Sequence, residues 1–195
     1  MEAQARLRRW AEEAGCVIAE ADWHALPLVS AATAEHEVRY RAADHRAVKR
    51  TWPGTFGFVP GRAGGRWMPQ AATPQEYLRR QRLQNDLFQD DIRLEGVMVG
   101  EGPSLVIGQS AGGLSLVISQ PWLDAADPAR PHPSEAQIAA FLEKMGFTPI
   151  FDALFGWRQE DGPLIILDAK PDNFLLTPAG LLPIDLLITE VALAP

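Results

Sequence analysis

Apolar side chains recur along this chain with two different periods, and the changes of period mark its elements. Leu7, Trp10 and Ala11 stand at helical spacing before Gly15, which predicts a helix over 1–14. The next segment has no clear period, although Cys16-Val17-Ile18 suits a short strand. Glu37-Val38-Arg39-Tyr40 and the stretch 46–50 flank the polar turn Ala43-Asp44-His45 and predict an antiparallel hairpin. Residues 52–74 are rich in Gly and Pro and predict an irregular connection, a length that is often functional inside a compact domain. Thr73-Pro74-Gln75-Glu76 supplies an N-cap, a proline at the first helical position and an acidic first turn. The helix it opens should reach Phe88, with Leu83 and Leu87 on its buried face.

Further along, 92–99, 104–109 and 113–119 read as strands joined by Gly-bearing turns. Ser134-Glu135-Ala136-Gln137 is a capping box. Ile138, Phe141, Leu142 and Met145 follow it on one helical face, and Gly146 ends the helix. Residues 151–157 and 164–167 predict a second hairpin around Glu160-Asp161-Gly162, and short strands at 174–176 and 182–184 flank Pro178-Ala179-Gly180. Strands dominate the middle and helices interrupt them, so the expected class is α+β.

Composition narrows the chemistry. The 195 residues suffice for one domain or one with two small lobes, and the net charge of −7 gives no electrostatic reason to expect nucleic acid or an anionic membrane. Two basic groups, Lys49-Arg50 and Arg79-Arg80-Arg82, are the candidates for a local basic patch; solvated surface is the simpler reading of both and the favoured one for the second. The single cysteine, Cys16, excludes an intrachain disulfide, and the four histidines lack metal-ligand spacing. No apolar run reaches the roughly 18–20 residues of a membrane span, and the N-terminus lacks a signal-peptide pattern. These features lead us to expect a soluble, cytoplasmic protein.

The densest chemistry lies late in the chain, in Ile166-Leu167-Asp168-Ala169-Lys170-Pro171-Asp172-Asn173 and in Leu182-Pro183-Ile184-Asp185. Phosphoryl transfer from ATP asks a protein to position the nucleophile, clamp the phosphates and neutralise charge. Asp168 suits the acceptor hydroxyl as a hydrogen-bond acceptor. Asn173 and Asp185 offer the oxygen ligands that Mg²⁺ prefers, and Lys170 can meet the transferring phosphate.

These residues resemble the catalytic loop of the protein-kinase fold, His-Arg-Asp-x-Lys-Pro-x-Asn, followed by a metal-binding Asp. More closely, the chain resembles the compact kinase domain of bacterial and phage polyvalent proteins. That likeness rests on Glu37-Val38-Arg39-Tyr40, on Lys49 with Pro53-Gly54-Thr55-Phe56-Gly57, and on Glu76-Tyr77-Leu78 with Asn85 and Phe88. It continues through Gln120-Pro121, Met145-Gly146-Phe147 and 168–185. The resemblance implies a reduced two-lobe fold: an N-terminal helix at 1–15, an N-lobe with an antiparallel sheet at 16–119, and a hinge with a truncated C-lobe at 120–195. It implies ATP and Mg²⁺ as cofactors. Asp168 is then the catalytic base, Lys170 the phosphate-contacting lysine, and Asn173 and Asp185 the metal ligands. Lys49 orients the α- and β-phosphates with Glu76 as its carboxylate partner, Glu95 being a second candidate. Gln120 and Trp122 sit where adenine is held.

The chain departs from the pattern in three places. Ile166 and Leu167 replace His and Arg, Asp185-Leu186-Leu187 replaces Asp-Phe-Gly, and 30–36 carries no glycine where a Gly-rich loop is expected. Two functions follow as expectations. One is a phosphotransferase acting on an unidentified hydroxyl of a protein or small molecule. The other is a pseudokinase that binds nucleotide or a protein without catalysis.

Overall fold

The computed structural model describes residues 2–31, 33–102, 111–153 and 155–192. It is an α+β protein with antiparallel sheets, and its chain divides into two compact units. The first unit comprises 1–58, 71–81 and 90–122, and the second 59–70, 82–89 and 123–195. Among the described residues no helix is long and apolar enough to cross a membrane.

The first unit opens with α1 (Glu2–Glu13), α2 (Glu20–Ala25), β1 (Leu28–Ser30), β2 (His36–Arg41) and β3 (Arg46–Thr51). The β4–β5 hairpin that follows (Phe58–Ala63 and Arg66–Ala71) falls almost wholly in the second unit. The helix α3 (Pro74–Phe88) is divided between the units, and β6 (Arg93–Gly102) and β7 (Ala111–Pro121) complete the first. Its sheet has the order β1-β2-β3-β7-β6. Strand alternation explains the two cores. Leu114, Leu116 and Ile118 of β7 pack with Ala11, Phe56, Tyr77, Ile92 and Val97. Val117 points the other way and meets Trp23, Val48 and Met98.

The expected α1, the β2–β3 hairpin and α3 are all present. The expected strand at 16–18 shrinks to one parallel bridge between Val17 and Val97, and α2 and β1 lie in the stretch that showed no period. The expected strand at 104–109 lies outside the described residues. The irregular connection expected at 52–74 is corrected to the β4–β5 hairpin. Gly64 and Gly65 both have positive φ, 57° and 81°, the backbone that a two-residue hairpin turn requires. Pro60 and Gly61 within β4 concealed the strand by weakening its propensity.

In the second unit, α4 (Glu135–Lys144) starts with the expected capping box, Ser134 and Gln137 each satisfying the other's backbone. Then follow β8 (Phe147–Pro149), β9 (Trp157–Gln159), β10 (Leu164–Leu167), a 3₁₀ turn (Pro171–Asn173), β11 (Phe174–Thr177), β12 (Gly180–Pro183) and β13 (Leu187–Glu190). A four-stranded sheet has the order β13-β10-β9-β8, and β11 and β12 form a hairpin. Ile138, Leu142, Phe147, Trp157, Ile166, Phe174, Leu186 and Ile188 make the core, joined by Leu83 of α3. The strand expected over 151–157 begins only at Trp157.

A charge network lines one end of the first sheet. Arg41 binds both Asp44 and Glu95, Arg46 binds Asp91, and Arg93 binds Asp91. The hydrogen bond from Arg41 holds the Glu95 carboxyl below its ordinary 4.5, helped by Ser119 and opposed by burial. A depressed carboxyl contributes stability above its unfolded pKa and loses it as pH falls through the folded value. The melting temperature should therefore fall as pH drops below about 4.5, the unshifted glutamate value. Arg41→Met should flatten that acid limb in a thermal melt series. An unchanged limb would remove this pair from the pH dependence.

Candidate functional site

The second unit gathers the late polar residues around one turn. β10 is an apolar strand with Ile165, Ile166 and Leu167 buried, and the chain leaves it at Asp168. Asp168 has a left-handed backbone, φ 59°, which Asp tolerates better than most side chains. The amide of Lys170 donates to the Asp168 carbonyl at 2.8 Å. Pro171 then starts the 3₁₀ turn, whose fixed φ suits that position. Ala169, between the two polar residues, is buried and anchors the loop in the core.

Asn173 closes the loop. Its Nδ2 donates to the Asp168 carbonyl and to Asp168 Oδ2, both at 2.7 Å. Both N–H donors of the amide thus serve Asp168, which leaves its carbonyl oxygen, Oδ1, as the atom suited to a cation. The ammonium of Lys170 lies 3.3 Å from Asp168 Oδ1 and 3.6 Å from Asp172 Oδ2. Burial pulls the Lys170 pKa down, but the charges of Asp168 and Asp172 outweigh it and raise it above the ordinary lysine value.

Asp185 reaches the same place by strand pairing. Ile184 N–H donates to the Asn173 carbonyl at 2.9 Å. Two residues after Asp185, Leu187 pairs with Leu167, the residue before Asp168. Backbone bonds therefore bring Asp168, Lys170, Asn173 and Asp185 to one end of the β10–β13 pair.

The other expected site residues belong to the first unit. Lys49 is buried in β3, with Val38 of β2 and Ile118 of β7 as its cross-strand neighbours. Glu76 is exposed, and its carboxylate accepts from the N–H and the hydroxyl of Thr73, both at 2.8 Å. It is engaged at its own helix start, and Glu95 is engaged with Arg41. Gln120 is buried opposite Ala47. Trp122 packs edge-on against Tyr40 at 5.1 Å, and its backbone N–H donates to the His45 carbonyl.

One polar cluster escaped the sequence. Arg80, read as solvated surface, is 1% exposed. Its guanidinium donates to Glu35 at 2.6 Å and to the Phe58 carbonyl at 3.0 Å. His36 is also buried and hydrogen-bonds the Tyr77 hydroxyl at 2.8 Å. Arg50 is likewise buried, beside Glu20 and Ser115. The end of the glycine-free 30–36 segment is therefore a buried ionic anchor. The available signal was Tyr77 and Arg80 at i, i+3 on a helix whose other apolar positions face inward. Compared with known proteins, the chain matches no family model, no curated protein and no solved structure.

Proposed function

We propose that this protein is a kinase-like phosphotransferase that moves the γ-phosphoryl group of Mg-ATP to a hydroxyl. The observation that carries the reading is the clamp of Asn173 on Asp168 beside Lys170, with Asp185 delivered to the same strand ends. Preorganised groups of this kind are what phosphoryl transfer asks of a protein. Asp168 Oδ2 is oriented by Asn173, so the carboxylate is set to accept the acceptor's hydroxyl proton. Lys170 stays cationic and offsets charge that develops on the transferring group. The Asn173 carbonyl oxygen and the Asp185 carboxylate are hard oxygen donors that fit Mg²⁺, and they would hold it. The ion, once bound, supplies neutralisation of phosphate charge. The same reading assigns Lys49 to the phosphates, and Glu76, Gln120 and Trp122 to the nucleotide.

A second reading, nucleotide binding without turnover, draws support from the glycine-free segment at 30–36. Thermal denaturation separates both of these readings from a protein that does not bind nucleotide. A ligand at a hundredfold its Kd stabilises by about 2.7 kcal/mol. Millimolar ATP with Mg²⁺ should raise the melting temperature by several degrees, and Asp185→Asn or a chelator should abolish most of that rise. No rise in the native chain would sink the proposal.

A further inference from the structure

The second unit contains a cavity of about 250 Å³ beside α4. Ile138, Ala139, Ile150, Phe155, Trp157 and Ala169 wall it, and among the described residues Glu135 is the one charged side chain on its lining. An apolar cavity of roughly 150 Å³ is enough to take a benzene ring. Phe155 and Trp157 add aromatic faces, which attract cations. The start of α4 is already satisfied by Ser134 and Gln137, so the Glu135 carboxylate is not needed as its cap.

We propose that this cavity binds a compact apolar amine, its body among the aromatic and aliphatic walls and its ammonium at Glu135. The site is built wholly from the second unit and does not depend on phosphoryl transfer. It adjoins the Asp168 loop directly: Ala169 is one of its walls, and Ala169 N–H donates to the Phe155 carbonyl at 3.1 Å. Phe155 and Asp168, flanking that bond, both have left-handed backbones, φ 54° and 59°. For a bulky side chain such as Phe155 that conformation is costly, so the turn is held by its surroundings. Filling the cavity is therefore felt at Asp168.

The test is a titration of the ¹⁵N-labelled full chain, without nucleotide, with phenethylamine, 2-phenylethanol and phenylacetate. Phenethylamine should shift the amides of Ala139, Ala153, Trp157, Ala169 and Asp168. It should bind about three- to fivefold tighter than the neutral alcohol, the gain of a solvent-exposed ion pair. Phenylacetate should bind weakest. Glu135→Gln should erase the preference for the amine and leave the alcohol unchanged, and Ala139→Leu should block all three. Shifts elsewhere than the cavity, phenylacetate binding as well as the amine, or a preference surviving Glu135→Gln would overturn the proposal. The map on the native chain decides even where the Ala139→Leu variant fails to fold.

Discussion

On the proposed function, Asp168→Asn is expected to lower phosphate transfer by about a hundred- to ten-thousandfold, the range that a positioned proton acceptor contributes, while ATP and Mg²⁺ should still raise the melting temperature. Asparagine keeps the size of the side chain and tolerates the left-handed backbone at this position. It also keeps an oxygen to accept from Asn173 Nδ2. What it loses is the negative charge beside Lys170 and the capacity to take a proton. Alanine is a poorer probe, because a left-handed alanine adds a backbone penalty of about 1–2 kcal/mol that confuses folding with chemistry. The measurement is single-turnover transfer from labelled ATP to the protein itself and to a panel of hydroxyl compounds. A variant retaining more than about a tenth of native turnover would remove Asp168 from the chemistry. Native protein that binds nucleotide but transfers nothing would favour the pseudokinase reading.

Glu35→Gln should destabilise the fold by up to about 3–5 kcal/mol, because it replaces the carboxylate 2.6 Å from the buried guanidinium of Arg80 with a neutral amide. Against the 5–15 kcal/mol that typically separates folded from unfolded chains, this loss is severe. The site tolerates little rearrangement. A side chain at Gly57, whose φ is 66°, would come within 2.4 Å of Glu35 Oε2. The double substitution Glu35→Gln with Arg80→Met should recover part of the loss, since breaking a buried pair costs more than removing both charges. Urea denaturation of the two variants measures this directly. A cost below about 1 kcal/mol for Glu35→Gln would show the pair to be solvated and weak.

The sequence was most legible where neighbours in space are neighbours in the chain. Asp168, Lys170 and Asn173 share one turn, and Asp185 returns by a short hairpin, so local spacing carried their convergence. The N-cap at Thr73 and the capping box at Ser134 were readable for the same reason. The Glu35–Arg80 pair was not, because 45 positions separate its members and Arg80 stands within a run of arginines that looks solvated. Burial of a charge is decided by a partner that local pattern does not contain. Short strands such as β8 and β13 escaped too, since three or four residues give the period-two signal little room. Glu76 shows the converse: its capping spacing was visible, and a kinase-like ordering suggested a second role for the same carboxylate.

The division of α3 between two units has a consequence for how the chain is made. Leu83 belongs to a core whose other buried members begin at Ile138. During synthesis from the N-terminus, its apolar face must wait for more than fifty further residues before its companions leave the ribosome. Until then it is exposed surface on a half-built molecule, a natural target for a holding chaperone and a weak point for aggregation. No single cut yields either unit as a continuous piece, so separate expression of the halves would remove part of each from its own core.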